Sequence, residues 1–210
     1  MIDNKRVVRE AYNQIAQQYF ETYVDDKTDE GIFKQFADLV AKGKILDLGC
    51  GYGKVSQWFV QNGFDCVGFD ISEEMIELGL KNNPDLNLQC ADITNIPLQY
   101  KKADGAIYAY SFFHLTKQQG ECSLKSLNKN LKDQAYIMLM LQKGEGEEFC
   151  SEPFSPQLQN YIKYYTLQEI TEMLTQCGFE VWEWFEQCKN DQGSLGNQDL
   201  IVIAQKIQEV

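Results

Sequence analysis

Short apolar runs alternate with stretches of helical spacing from residue 44 onward. Apolar residues that recur every three or four positions, such as Val55, Trp58 and Phe59, predict helices between the runs. The runs that predict buried strands are KILDL (44–48), DCVGFD (65–70), LNLQC (86–90), ADGAIYAY (103–110) and AYIMLML (135–141). This repeated alternation is typical of an α/β protein, in which a mostly parallel sheet carries helices on both faces.

Two threonine residues mark the starts of predicted helices. Thr116 with Gln119, and Thr166 with Glu169, have the spacing of a capping box, in which each side chain of the pair bonds the backbone N–H of the other residue. The first helix should run to about residue 131, and the second should end at Gly178.

The two ends of the chain carry different patterns. Near the carboxyl end, FEVWEWFEQ (179–187) and DLIVIAQ (199–205) flank a segment without helical spacing, so we predict that they pair as an antiparallel hairpin. Near the amino end, VVREAYNQIAQQYF (7–20) has one apolar side and predicts a helix. We interpret residues 1–43 as a helical cap lying across a core of residues 44–210, and the whole of 1–210 as one domain.

A glycine-rich segment follows the first predicted strand. In an open α/β sheet, ligands bind beyond the carboxyl ends of the strands, near the point where the strand order reverses. Glycines at that point allow positive φ angles and let a ligand touch the main chain. Gly49, Gly51 and Gly53 are spaced as GxGxG, whereas a dinucleotide fingerprint requires a glycine at the position of Lys54.

Acidic residues stand at the ends of three successive predicted strands. Asp47 lies two residues before the first glycine, where its charge would repel a pyrophosphate and attract an ammonium or a sulfonium. Asp70 could accept hydrogen bonds from both hydroxyls of a ribose, and Asp92 could accept a hydrogen bond from the amino group of an adenine. Either of these two alone could instead cap a helix or start a turn. Together, Asp47, Asp70 and Asp92 could bind the amine, the ribose and the base of one ligand, in that order.

Composition narrows the range of partners. The net charge is −12, and the 19 Lys and Arg residues form no run longer than two, so we do not expect nucleic acid to bind. Seven cysteines without a CxxC pair, together with a single histidine, give no zinc motif and indicate reduced thiols. No apolar run is long enough to span a bilayer and no secretory signal is visible, so we expect a cytoplasmic protein without a membrane partner.

These motifs resemble the class I S-adenosylmethionine-dependent methyltransferases. The resemblance lies in ILDLGCGYG, VGFDIS, QCADI, DGAIYAYSFFHL and YYTLQEITEMLTQCGFEV, and it covers nearly the whole chain. It implies a doubly wound, Rossmann-like α/β fold with seven mostly parallel strands, of which the last is antiparallel. It also implies S-adenosylmethionine as cofactor, S-adenosylhomocysteine as product, and a small-molecule acceptor methylated by in-line displacement.

The resemblance further implies which residues contact the cofactor. The glycine turn would pass under the methionine part, with Asp47 near its amine, while Asp70 would take the ribose and Asp92 the adenine. The full set of expected cofactor contacts is Tyr12, Tyr19, Asp47, Gly49, Cys50, Gly51, Tyr52, Gly53, Asp70, Ile71, Met75, Ala91, Asp92, Ile93 and Tyr108. No metal is expected.

The acceptor side carries weaker signals. His114, the only histidine, follows the fourth predicted strand and could be a catalytic general base, because its reference pKa is about 6.5. It could instead be a packed or capping residue beside the helix that starts at Thr116. Tyr12 and Tyr19 could close over the cofactor or anchor in the core. The composition of residues 142–159 predicts a long acidic loop. This loop could be a mobile lid whose glutamates favour a cationic acceptor, or it could be a solvated surface segment.

Two rival functions stay open from the sequence. An NAD-dependent oxidoreductase would use the same strand–glycine–acid arrangement, although Lys54 stands where its third glycine belongs. A non-catalytic S-adenosylmethionine-binding protein would explain why no catalytic residue is compelling. We expect either a monomer or a homodimer.

Overall fold

The computed structural model describes residues 3–100, 102–188 and 198–210, and its centre is a seven-stranded sheet. Among the described residues, seven of the nine strands form this sheet in the order β3-β2-β1-β4-β5-β9-β8, and β6 pairs with β7 in a second, two-stranded sheet. The strands are β1 (Lys44–Leu48), β2 (Asp65–Asp70), β3 (Asn87–Cys90), β4 (Ala103–Ala109), β5 (Leu131–Gln142), β6 (Glu147–Glu152), β7 (Ser155–Lys163), β8 (Phe179–Gln187) and β9 (Asp199–Lys206).

The strand order reverses between β1 and β4. The chain runs outward from β1 to β2 and β3 and then returns to β4, and all neighbouring pairs from β3 to β5 are parallel. The carboxyl ends of β1 and β4 are therefore the switch point at which such sheets bind ligands. β9 is antiparallel to both β5 and β8, which confirms the predicted terminal hairpin. Its connecting residues 189–197 lie outside the described part of the chain.

Helices cover both faces of the sheet. They are α1 (Asn4–Tyr23), α2 (Glu30–Val40), α3 (Lys54–Gln61), α4 (Glu73–Asn82), α5 (Lys117–Asn130) and α6 (Leu167–Gln176), with short 3₁₀ turns at Leu98–Tyr100 and Phe112–His114. Thr116 and Gln119 form the predicted capping box in full. The second box is half wrong: Thr166 accepts from the backbone N–H of Glu169, but the Glu169 carboxylate lies 2.8 Å from Lys163 Nζ instead.

The core lies on both sides of the central strands. Leu124 of α5 and Leu174 of α6 are fully buried against one face, and Phe36 of α2 and Phe59 of α3 against the other. Burial of each such side chain stabilises the fold by about 1.5–3 kcal/mol. Because the central strands are covered on both faces, they read in the sequence as continuous apolar runs rather than alternating ones.

The two amino-terminal helices have different places in the fold. α1 buries Val8, Ala11 and Ile15 and contacts mainly α4 and β7, so it lies beside the carboxyl edge of the sheet. α2 packs with α3 on one face of the sheet instead. Among the described helices, none combines the length and the apolar character that a membrane crossing requires.

The segment predicted as a long loop at 142–159 is largely a β-hairpin. β6 and β7 pair antiparallel, with Phe149 opposite Tyr161 and Cys150 opposite Asn160. Glu152 and Asn160 are buried here, with relative exposures of 3% and 0%. Polar residues thus occupy the inward positions, and the apolar alternation by which a strand is recognised is missing.

Candidate functional site

A cavity of about 230 Å³ opens at the carboxyl ends of the central strands. Its walls come from the turn after β1, the ends of β2, β4 and β5, one side of α1, and the turn between β6 and β7. The expected site residues that line it are Tyr12, Tyr19, Asp47, Gly49, Cys50, Gly51, Tyr52, Asp70, Ile71, Met75, Asp92, Ile93 and His114. The switch point of the sheet and the residues singled out from the sequence therefore meet at one cavity.

Three expected residues do not line this cavity. Tyr108 is fully buried in the core, where its hydroxyl lies 2.7 Å from Ser123 Oγ. Ala91 packs against the same core cluster. Gly53 is the left-handed N-cap of α3, and a Cβ there would lie 2.8 Å from a methyl of Leu88. All three residues pack against the core in this structure, and the contact with the cofactor expected of them stays a prediction.

The first two glycines of the turn differ in what surrounds them. Both have positive φ, +79° at Gly49 and +54° at Gly51. A Cβ at Gly49 would lie 2.2 Å from Ser111 Cβ, whereas a Cβ at Gly51 would meet nothing within 4 Å. Ser111 is held in place because its hydroxyl donates to the Leu48 carbonyl. The protein itself thus fills the space beside Gly49, while the space beside Gly51 belongs to the cavity.

Asp47 lines the cavity and has one carboxyl oxygen without a hydrogen-bond partner among the described residues. The residue is fully buried, and its Oδ2 accepts from Ser56 Oγ at 2.7 Å. Its Oδ1 has no hydrogen-bond partner among the described residues. Burial, with a smaller contribution from the charge of Asp70, raises the pKa of Asp47 to about 7. A buried polar atom without a partner costs about 1–3 kcal/mol, so a ligand that donates a hydrogen bond here would be bound favourably.

Asp70 ties the turn to the end of β2. One carboxylate oxygen accepts from the Gly51 N–H and the other from the Ser72 N–H, each at 2.8 Å. Burial nevertheless raises the pKa of Asp70. Each carboxylate oxygen has a second lone pair. Asp70 can therefore hold the turn and still accept hydrogen bonds from a ligand in the cavity.

Asp92 is paired with a residue of α1 that the sequence patterns did not single out. Lys5 Nζ lies 2.7 Å from Asp92 and 2.8 Å from Thr94 Oγ1. Thr94 also donates to Asp92 through its N–H at 2.9 Å and its hydroxyl at 2.8 Å. Burial opposes ionisation of Asp92, but the bonds from Lys5 and Thr94 outweigh it and lower the pKa. This ion pair ties α1 to the connection after β3.

Aromatic rings enclose the side of the cavity formed by α1. The ring centroids of Tyr19 and Tyr23 are 4.7 Å apart, and Phe154 from the β6–β7 turn lies 5.9 Å from each. Tyr52 lies 6.2 Å from Tyr19, and its buried hydroxyl has no partner among the described residues. Tyr23 was detectable from the sequence, because it stands four residues after Tyr19 on the same helical face.

His114 is held from both ring nitrogens. Nδ1 lies 2.8 Å from the Tyr161 carbonyl oxygen, and Nε2 lies 2.9 Å from the Tyr12 hydroxyl. Because a carbonyl can only accept, Nδ1 carries the proton and Nε2 accepts from Tyr12. Burial lowers the pKa of His114 to about 4. The imidazole is therefore neutral at pH 7, and its one lone pair is already engaged.

Carboxyl groups outnumber cations along the described cavity wall. The two lysines are already paired, Lys5 with Asp92 at 2.7 Å and Lys54 with Asp26 at 3.3 Å. The carboxyl-bearing lining residues are Asp26, Asp29, Asp47, Asp70, Asp92 and Glu152. The cavity is thus suited to a ligand with positive charge.

Comparison with known proteins gives one family match and several relatives. The profile of a family described as "Methyltransferase domain" matches residues 45–134. An uncharacterised methyltransferase of Staphylococcus carnosus (strain TM300) is 22% identical over 162 residues, which cover 77% of this chain and 73% of the relative.

Solved structures share the fold at low sequence identity. A 1,6-didemethyltoxoflavin-N1-methyltransferase of Burkholderia thailandensis, with 1,6-didemethyltoxoflavin and S-adenosylhomocysteine bound, aligns with a TM-score of 0.77 and 14% identity, covering 99% of this chain and 92% of that one. The [4+2]-cyclase SpnF aligns with a TM-score of 0.75 and 13% identity, covering 97% and 96%. At such identities the likeness establishes the seven-stranded, mostly parallel fold.

Proposed function

Because the chain belongs to the class I S-adenosylmethionine-dependent methyltransferases, we propose that it methylates a small molecule bound beside the cofactor in the cavity at the switch point. One observation carries this proposal, namely that a single cavity is lined by four features suited to the cofactor. They are the open space at Gly51, the Oδ1 of Asp47 that lacks a partner, and the carboxylates of Asp70 and Asp92.

The residues present fit the cofactor. Asp47 Oδ1 would accept from the ammonium of the methionine part, which supplies the donor that this buried oxygen lacks. Asp70 would accept from the ribose hydroxyls with its remaining lone pairs. Asp92, already bonded to Lys5, would accept from the adenine amino group, with Ile71 and Met75 against the base.

The protein's part in the reaction is positioning. S-adenosylmethionine supplies a methyl group on a positively charged sulfur, which is an activated leaving group. The chain has to hold the acceptor in line with that methyl group and exclude water, and such positioning contributes up to about 7–11 kcal/mol. We assign this task to the ring enclosure of Tyr19, Tyr23 and Phe154.

We assign His114 to orienting Tyr12 rather than to proton storage. With a pKa lowered to about 4, the imidazole would lose any captured proton to water at neutral pH. Its hydrogen bond to the Tyr161 carbonyl fixes the ring, and the fixed Nε2 holds the Tyr12 hydroxyl. His114 is then a positioning residue of the acceptor side.

Neither rival function is favoured by a specific observation. A pyrophosphate of NAD would lie beside the buried carboxyl of Asp47, whose side-chain partner among the described residues is the neutral hydroxyl of Ser56. A non-catalytic binding protein stays distinguishable by experiment, since it would bind S-adenosylmethionine without consuming it.

Calorimetric titration with S-adenosylmethionine tests the proposal. We expect binding by the wild-type chain, and a weakening of roughly 10–100-fold in Asp47→Asn, since a charge-assisted hydrogen bond contributes about 1.5–3 kcal/mol. Asp85→Asn, which neutralises an exposed carboxylate outside the cavity, should bind like wild type.

Turnover is measured as S-adenosylhomocysteine formed with a panel of metabolites. Release with any member supports methyl transfer. Absence of cofactor binding would refute the proposal, and binding without turnover on any panel member would favour the non-catalytic alternative.

A further inference from the structure

We propose that the methyl acceptor carries an ammonium or guanidinium group, and that this charged group binds Glu152 between α1 and the β6–β7 hairpin. The inference rests on the proposed function and names the class of acceptor. Another atom of the same molecule, one that has a lone pair, then faces the methyl group of the cofactor, because an ammonium or guanidinium bonded to Glu152 has no free lone pair with which to attack it.

Glu152 is a buried carboxylate without a cation. Its side chain is 3% exposed and lines the cavity. Its two oxygens accept from Asn160 Nδ2 at 3.0 Å and from the Phe154 N–H at 3.3 Å, and both donors are neutral. No described Lys, Arg or His lies within ion-pair distance of it. Burying a carboxylate that only neutral groups accompany costs free energy, so this position favours a ligand that supplies the missing charge.

The ring enclosure adjoins this carboxylate. Phe154 is two residues beyond Glu152, and its N–H bonds the Glu152 carboxylate. Its ring lies 5.9 Å from the rings of both Tyr19 and Tyr23. The faces of aromatic rings attract cations by about 0.5–2 kcal/mol each. A cation held by Glu152 would therefore also be stabilised by the surrounding rings.

A separate observation indicates a ligand rich in hydrogen-bond donors. Gln142, at the end of β5, lines the cavity and is 4% exposed. Its Nε2 donates to Asp199 at 3.3 Å, which leaves Oε1 as the available end, and this oxygen has no partner among the described residues. A carbonyl oxygen can only accept, so it is complementary to an N–H group of the acceptor.

The overall charge of the cavity agrees with these local features. Six carboxyl groups and two lysines line its described wall. S-adenosylmethionine would bring one net positive charge, so an acidic wall remains after the cofactor is bound. An anionic acceptor would enter against this field, and a cationic one with it.

The test compares amines with alcohols of the same shape. With S-adenosylhomocysteine at saturation, calorimetry measures the binding of three pairs: benzylamine and benzyl alcohol, phenethylamine and 2-phenylethanol, and n-pentylamine and 1-pentanol. We expect each amine to bind roughly 10–100-fold more tightly than its alcohol, as for a charge-assisted hydrogen bond. Equal binding within the pairs, tighter binding of the alcohols, or no binding by any of the six would overturn the proposal.

Variants locate the effect. Glu152→Gln should remove the preference for amines and leave the affinity for each alcohol within about twofold of wild type. Glu145→Gln, which changes an exposed acid between β5 and β6, should keep the preference for amines. If Glu152→Gln fails to fold, Phe154→Leu serves as a second variant. It should weaken the binding of the amines roughly 2–30-fold. An unchanged preference in Glu152→Gln contradicts the assignment.

The affinity for S-adenosylhomocysteine separates two kinds of failure. If the wild-type chain does not bind it, the proposed function fails. If it binds but the amines show no advantage, only the assignment of the acceptor fails. Glu152→Gln should retain this affinity, because Glu152 is assigned to the acceptor side.

Discussion

Replacing either Gly49 or Gly51 by alanine should affect stability and cofactor binding differently. Both positions have positive φ, so an alanine at either costs about 1–2 kcal/mol of backbone strain. At Gly49 the new methyl would also lie 2.2 Å from Ser111 Cβ, and forcing an extra carbon into packed space adds about 1–3 kcal/mol. We therefore expect a loss of about 2–5 kcal/mol in Gly49→Ala and about 1–2 kcal/mol in Gly51→Ala.

For cofactor binding, we expect Gly51→Ala to have the larger effect and Gly49→Ala the smaller one. Apart from its chain neighbours, no described residue has an atom within 4 Å of a Cβ at Gly51, so a methyl there would take space that we assign to the cofactor. We expect Gly51→Ala to weaken S-adenosylmethionine binding tenfold or more, which corresponds to about 1.4 kcal/mol. Urea unfolding measures the first quantity and calorimetric titration the second.

A double variant provides the control. Ser111→Gly removes the Cβ that the alanine at Gly49 would strike, so the pair should be less destabilised than the sum of the single variants. If Gly51→Ala proves as unstable as Gly49→Ala, or binds S-adenosylmethionine like wild type, the division of space in this turn is wrong.

Three further predictions concern individual side chains. Burial raises the pKa of Asp47 from 3.8 to about 7, so the fold loses stability progressively as the pH rises from about 4 to about 7. The stability of Asp47→Asn relative to wild type should therefore rise by roughly 2–3 kcal/mol between pH 5 and pH 8 in urea unfolding, and a difference independent of pH would contradict this. Lys206 Nζ donates to the carbonyls of Asn128 at 2.9 Å and Leu131 at 3.2 Å, so Lys206→Met should lose about 1–3 kcal/mol in thermal unfolding, whereas a variant as stable as wild type would show that water replaces these bonds. Tyr108→Phe should lose about 1 kcal/mol and bind S-adenosylmethionine unchanged, and weaker binding would return Tyr108 to the site.

The strands of the sheet were predictable where burial alone determines the order of apolar and polar residues along the chain. β1 and β2 have the predicted bounds, 44–48 and 65–70, because both strands are covered on two faces and bounded by polar or glycine residues. The β6–β7 hairpin was missed because its inward side carries Glu152 and Asn160. A strand that buries polar groups for a ligand does not show the hydrophobic alternation on which strand prediction depends.

The cavity was predictable only through residues near the strand ends. Asp47 and Asp70 follow directly from the parallel topology, and both line the cavity. Tyr108, expected at the cofactor, has its side chain in the core, whereas Tyr110, just past the strand end, lines the cavity. The pairing of Lys5 with Asp92 joins residues 87 positions apart, and no local pattern indicates such a contact.

The position of β9 has a consequence for how the chain folds during synthesis. β9 lies between β5 and β8, yet the ribosome makes it after both of them. Until it emerges, β5 keeps an unpaired edge along Met138, Leu139 and Met140, and such an edge invites association with other nascent chains. The sheet can therefore close only after β9 has been made, and a chaperone that shields this edge of β5 until then should raise the yield of folded protein.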